Sequence, residues 1–159
     1  MRLEIKSAVE FFTHILSIQG SIPPHKLEKF SQCLEALLYT KFEQHWHPQK
    51  PMLGSAFRCI RITQKHMDTD IDKAASMSDV TFAVLVNALP REFTMWIDPE
   101  DVSYRIGEEG SICSIFNKDG NNTGSQTDSG ILNQSCHSEV SRATLISSPN
   151  ESTYTQCWS

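Results

Sequence analysis

Acidic side chains crowd one stretch of this chain. Asp98, Glu100, Asp101, Glu108 and Glu109 lie close together in sequence. Two carboxylates in contrasting environments can serve as a general acid and a general base, which makes a hydrolase conceivable. The spacing argues otherwise. Glu100 and Asp101 follow an Asp98-Pro99 turn, and Glu108 and Glu109 sit between Gly107 and Gly110 at a hairpin tip, where carboxylates are solvated. Cys33, Cys59, His45 and His47 are of zinc-ligand type, but short zinc motifs carry paired ligands at both ends and here no second pair follows the two histidines. His45 reads as closing a helix, where a cation suits the dipole, and His47 as loop surface. Cys59 lies in an apolar run, which points to a buried, inert thiol. No phosphate-binding loop, nucleophile elbow or dinucleotide fingerprint occurs. The residues thus call for no catalytic centre, cofactor or metal.

Binding chemistry is better represented. In Phe93-Thr94-Met95-Trp96-Ile97-Asp98, strand alternation puts Phe93, Met95 and Ile97 on one face and Thr94, Trp96 and Asp98 on the other. Tryptophan is often a core residue, yet here a core face exists without it. An aromatic anchor beside a carboxylate makes a partner-binding surface. Leu34-Glu35-Ala36-Leu37-Leu38 matches the L-x-x-L-L pattern, which docks as a helix into apolar grooves of transcription factors; the same leucines also suit an amphipathic core helix.

These residues need elements to position them. Residues 3–18 have helical spacing through Ile5, Ala8, Phe12, Ile15 and Leu16, with Gly20 as a stop. Pro23 and Pro24 suit the entrance to a second helix from about His25 to Gln44. Pro48 and Pro51 make residues 47–55 a loop. A strand is predicted at 57–62, short helices at 71–77 and 80–89, and strands at 93–98, 102–106 and 111–116. Helices first and strands later indicate an α+β fold, with an N-terminal helical hairpin and further short helices packed on a small antiparallel sheet.

The 159 residues divide unevenly. Residues 1–116 hold almost all the large aliphatic and aromatic side chains, whereas 117–159 are rich in Ser, Thr and Asn. The second segment cannot bury enough surface to offset its chain entropy and is predicted to be a disordered tail. A formal net charge of −5 with scattered basic residues offers no general attraction to phosphate backbones, so direct nucleic-acid binding is not expected. No apolar run is long enough for a bilayer, and the odd cysteine count without a CxxC pair fits a reducing compartment. In the tail, three N-x-[ST] matches and Ser148-Pro149 are cheap coincidences of composition.

Two longer stretches resemble the signature boxes of the antiproliferative BTG/Tob family. The first runs from His45-Trp46-His47-Pro48 through Gly54-Ser55-Ala56-Phe57-Arg58-Cys59-Ile60-Arg61-Ile62, the second from Leu89-Pro90 through Trp96-Ile97-Asp98-Pro99 to Tyr104-Arg105-Ile106-Gly107-Glu108. The overall length is similar to that of short-tailed members. The resemblance implies a non-enzymatic adaptor of cytoplasm and nucleus. It would bind the Caf1-type deadenylase subunit of CCR4–NOT, promote poly(A) shortening and restrain proliferation, with transcriptional co-regulation as the alternative. The implied deadenylase surface falls on Phe57, Trp96 and Asp98, with Asp68 and Glu108 as further candidates. Phe57 stands where the family usually has Tyr, and Ala56 where it has Gly. Short members also carry a third box, linked to poly(A)-binding protein and an arginine methyltransferase; Ser148–Tyr154 resembles it only faintly.

Overall fold

The computed structural model describes residues 1–18 and 20–118. The expected disordered tail, with its glycosylation-like, Ser-Pro and third-box matches, lies outside the described residues from position 119 onward. Among the described residues four helices, α1 (Arg2–Ile18), α2 (Pro24–Phe42), α3 (Thr69–Met77) and α4 (Phe82–Ala88), accompany four strands, β1 (Cys59–Ile62), β2 (Phe93–Asp98), β3 (Asp101–Ile106) and β4 (Ile112–Asn117). The strands form one antiparallel sheet in the order β1-β2-β3-β4. This is the expected α+β fold, and β4 runs one residue past the sequence-derived boundary at 116.

The core forms where α1 lies across the sheet. Ile5, Ala8, Phe12 and Ile15 recur at helical spacing and are buried, together with Phe11 and Leu16. Phe11 meets Tyr104 of β3 at 4.7 Å and Phe93 of β2 at 5.7 Å between ring centroids, and Phe12 meets Phe93 edge-on at 5.5 Å. Such offset and tilted pairs add to area burial, the main source of stability here. α2 packs antiparallel beside α1 through Phe30, Leu34, Leu38 and Phe42. Lys41 of α2 reaches Asp70 of α3 at 2.7 Å, joining the second and third helices. Buried Glu4 accepts a 3.0 Å hydrogen bond from the Glu100 amide, tying α1 to the β2–β3 turn. In that turn Pro99 occupies the first corner and Glu100 the second, with φ of 71°, the pattern of a type II turn.

Several boundaries differ from the sequence reading for local reasons. α2 stops at Phe42, so His45 lies beyond the helix in a turn and does not close it. The strand expected at 57–62 begins only at Cys59; Ser55–Arg58 wind into a single 3-10 turn entered through Gly54 at φ 78°. α4 is shorter than expected, Phe82 to Ala88, while α3 starts earlier because Asp68 caps it, accepting from the Asp70 amide at 2.9 Å. The L-x-x-L-L leucines are committed to the interior. Leu34 and Leu38 are fully buried and Leu37 packs against the core, which removes them as a docking motif.

Candidate functional site: an aromatic and carboxylate face on the sheet

β2 alternates as its sequence requires. Phe93, Met95 and Ile97 are buried beneath α1, and Thr94, Trp96 and Asp98 are half-buried on the opposite, outer face. Register sets the neighbours of Trp96, with Cys59 of β1 on one side and Ser103 of β3 on the other. The Arg105 guanidinium sits 5.8 Å from the indole centroid, within cation–π range. Glu108 bridges both nearby arginines, at 2.9 Å from Arg61 and 3.2 Å from Arg105. Trp96 and Asp98 therefore share one outward face, and Glu108 organises the cations that border it.

Phe57 lies next to β2 by a different route. The 3-10 turn packs against β2 and leads directly into Cys59, the register partner of Trp96. Phe57 is 56% exposed and stacks on the His45 ring, 4.0 Å between centroids and nearly parallel. His45, read from sequence as a helix-closing cation, is instead the platform for this aromatic. Met52 and Leu53 on the preceding loop are also exposed and enlarge the apolar surface.

The residue that builds the site was missed. Arg58, which falls within the strand predicted at 57–62 with no role assigned to it there, is fully buried. A buried guanidinium needs acceptors for its fork of donors. It finds them in the carbonyls of His45 (2.5 Å), Leu53 (2.8 Å), Pro51 (2.5 Å) and Ile97 (3.1 Å), and in Asp98 Oδ1 at 2.6 Å. The Trp46 ring covers it at 5.6 Å. One cation thus pins the 45–53 loop, whose His45 stacks on Phe57, to the end of β2, which carries Asp98. Gly54 lets the loop approach: a Cβ there would come within 3.0 Å of the His45 carbonyl oxygen and 3.2 Å of the guanidinium. Arg58 ends the 3-10 turn and stands outside β1, so the acceptors gathered around it, and not strand alternation, account for its burial.

Asp98 consequently has two tasks, since its side chain pairs with Arg58 yet remains 23% exposed. Asp68 is different. It is buried, and its two carboxylate oxygens accept from the Asp70 and Arg61 amides, so it fixes α3 against β1. Burial, reinforced by the charge of Asp68, pushes the Cys59 thiol above its ordinary range and keeps it protonated. Burial also raises the Asp101 carboxyl against a hydrogen bond from Ser103, with the Asp98 charge adding to the rise. Among the described residues no group of three His, Cys, Asp or Glu side chains could hold a metal, and no helix is long and apolar enough to cross a membrane. The acids Asp98, Glu100, Asp101, Glu108 and Glu109 do not line the cleft of about 450 Å³ elsewhere on the molecule, whose carboxylate is Asp72.

This helix-and-meander frame has counterparts. A profile of the BTG family matches residues 1–116. Rat protein BTG2 is 45% identical over 113 residues, 71% of each chain. Human protein BTG1 is 45% identical over 113 residues, 71% of this chain and 66% of its own. Human protein Tob1 is 38% identical over 133 residues, covering 84% of this chain but 38% of its own length. The solved structure of the C. elegans FOG-3 BTG/Tob domain superposes with a TM-score of 0.66 at 23% identity, over 74% of this chain and 90% of that one, a likeness of fold. The chain belongs to the BTG/Tob antiproliferative family.

Proposed function

We propose that this chain is an adaptor that binds the Caf1-type deadenylase subunit of CCR4–NOT and promotes mRNA poly(A) shortening in the cytoplasm and nucleus. One observation supports the reading: Trp96 and Asp98 share the outer face of β2, and the buried arginine that holds Asp98 directly follows exposed Phe57 in the chain. Trp96 and Phe57 supply the apolar anchor, the exposed part of Asp98 a charge-assisted contact, and Glu108 with its two arginines a charged rim. Asp68 contributes by holding α3 and β1 in place. Phe57 lacks a phenolic hydroxyl, so its contribution is area and stacking alone. Recruitment of poly(A)-binding protein or an arginine methyltransferase would fall to residues beyond Lys118.

The test is calorimetric titration of the full chain against the recombinant Caf1-type nuclease. Trp96→Ala, on a half-buried position, is expected to fold and to lose about 2 kcal/mol or more of binding, roughly thirtyfold in Kd. Undiminished affinity in a folded Trp96→Ala protein overturns the site.

A further inference from the structure

Strand register places Arg61 of β1 and Arg105 of β3 on either side of Thr94, on the outer face of β2. Trp96 is the next residue of β2 on that face. Arg105 is therefore its diagonal cross-strand neighbour, at a separation that long and aromatic side chains span. The guanidinium makes that contact, 5.8 Å from the indole centroid. Its own position is fixed from the hairpin tip. One Glu108 carboxylate oxygen accepts from Arg105 at 3.2 Å, and the other accepts from Arg61 at 2.9 Å, so the acid ties β1 to β3 across β2. Exposure is graded along this series of contacts. The Arg61 side chain is 58% exposed, but that of Arg105 only 28%. An arginine so largely covered has little surface left for a partner. Its contact with the indole, by contrast, strengthens as docking removes water.

We propose that Arg105 is a positioning residue for the docking anchor: it holds the Trp96 indole in its binding orientation before a partner arrives, and Glu108 holds Arg105. An anchor ordered in advance avoids the entropy cost of fixing it on association. The inference rests on the adaptor function proposed above. It gives Arg105 and Glu108 an effect on affinity that runs through Trp96, not through contacts of their own.

The test is a double-mutant cycle, with the full chain titrated calorimetrically against the recombinant Caf1-type nuclease. Arg105→Met keeps an unbranched side chain and removes the charge. It is expected to raise Kd about fivefold in the wild-type background and less than about twofold beside Trp96→Ala. Arg105→Lys retains a cation and should recover most of the loss. Glu108→Gln is expected to raise Kd about threefold, and to have no further effect beside Arg105→Met. A second measurement needs no partner: the Trp96 indole ¹⁵N–¹H signal, identified by its loss in Trp96→Ala, should shift in both Arg105→Met and Glu108→Gln. Each variant's amide spectrum reports its fold. An equal loss from Arg105→Met with and without Trp96 makes Arg105 a direct contact and overturns the inference. So does an unchanged Kd, or an indole signal that does not move; in these cases the adaptor function stands. If wild type fails to bind the nuclease, or Trp96→Ala binds as well as wild type, the adaptor function itself falls and the docking role of Arg105 falls with it.

Discussion

Arg58 touches solvent nowhere, yet the binding face depends on it. Its guanidinium satisfies four backbone carbonyls and one carboxylate, so truncation strands several buried acceptors together. Arg58→Ala is expected to cost about 3 kcal/mol or more in urea denaturation and to abolish nuclease binding, and Arg58→Lys to recover little, because an ammonium cannot span a fork of acceptors. Trp96→Ala gives the opposite signature, losing partner affinity while keeping stability; the two measurements together separate a contact residue from a scaffold residue. Glu4 offers a test by pH. Burial alone would raise its carboxyl, but hydrogen bonds from the terminal amine and from the Glu4 and Glu100 amides hold it below the ordinary 4.5. A lowered carboxylate pKa stabilises the fold above 4.5, and that contribution fades as pH falls through the folded value. Glu4→Gln should therefore lower the melting temperature at pH 7 and flatten its decline below pH 4.5. At this scale the sequence was legible wherever alternation applied: the half-buried side of Trp96 and Asp98 follows from Phe93, Met95 and Ile97 facing the other way. Alternation does not reach Arg58, which ends a 3-10 turn before β1 begins.

The elements were read well where periodicity is long and poorly where geometry is set by neighbours. α1 follows from its own apolar spacing, since the sheet beneath accepts a stripe of that width. The 55–58 turn could not be foreseen in that way. Phe57-Arg58-Cys59-Ile60 looks like a strand, but the guanidinium draws the chain into a tight turn so that carbonyls from both directions reach it. Gly54 makes this possible at positive φ. Gly54→Ala is expected to destabilise by about 1–2 kcal/mol, from left-handed strain and crowding of the His45 carbonyl. Because the displaced loop carries Phe57, affinity for the nuclease should fall as well; thermal melts and titration on one preparation check both. In the β3–β4 hairpin the two glycines serve different ends: Gly107 adopts a φ of 75°, whereas a Cβ at Gly110 would lie 1.9 Å from the Ile106 carbonyl oxygen.

At the scale of the molecule, two surfaces share one core. The outer sheet face and the cleft between the 63–67 loop and α4 have no residue in common, so substitutions at one should leave the other intact. Phe82→Ser is expected to bind the Caf1-type nuclease with unaltered affinity; a change beyond about 0.5 kcal/mol in that titration would reveal coupling through β1. The α+β class was legible from element order, but the cleft was not, since a loop, α3, α4 and the residues before β2 contribute to it from separate parts of the sequence. Strand order likewise depended on β1 pairing with β2 across the thirty residues 63–92.

The pairing of Arg58 with Asp98 is also directional. Surface ion pairs drift through evolution by trading ends, acid for base, because water treats both orientations alike. Here an acid placed at 58 would confront the lone pairs of four peptide oxygens, and no exchange at 98 could repair that repulsion. Reciprocal charge-swap rescue, the usual proof of an ion pair, is therefore closed to this one, and lineages carrying the fold should find its cation almost irreplaceable while its anion keeps some freedom.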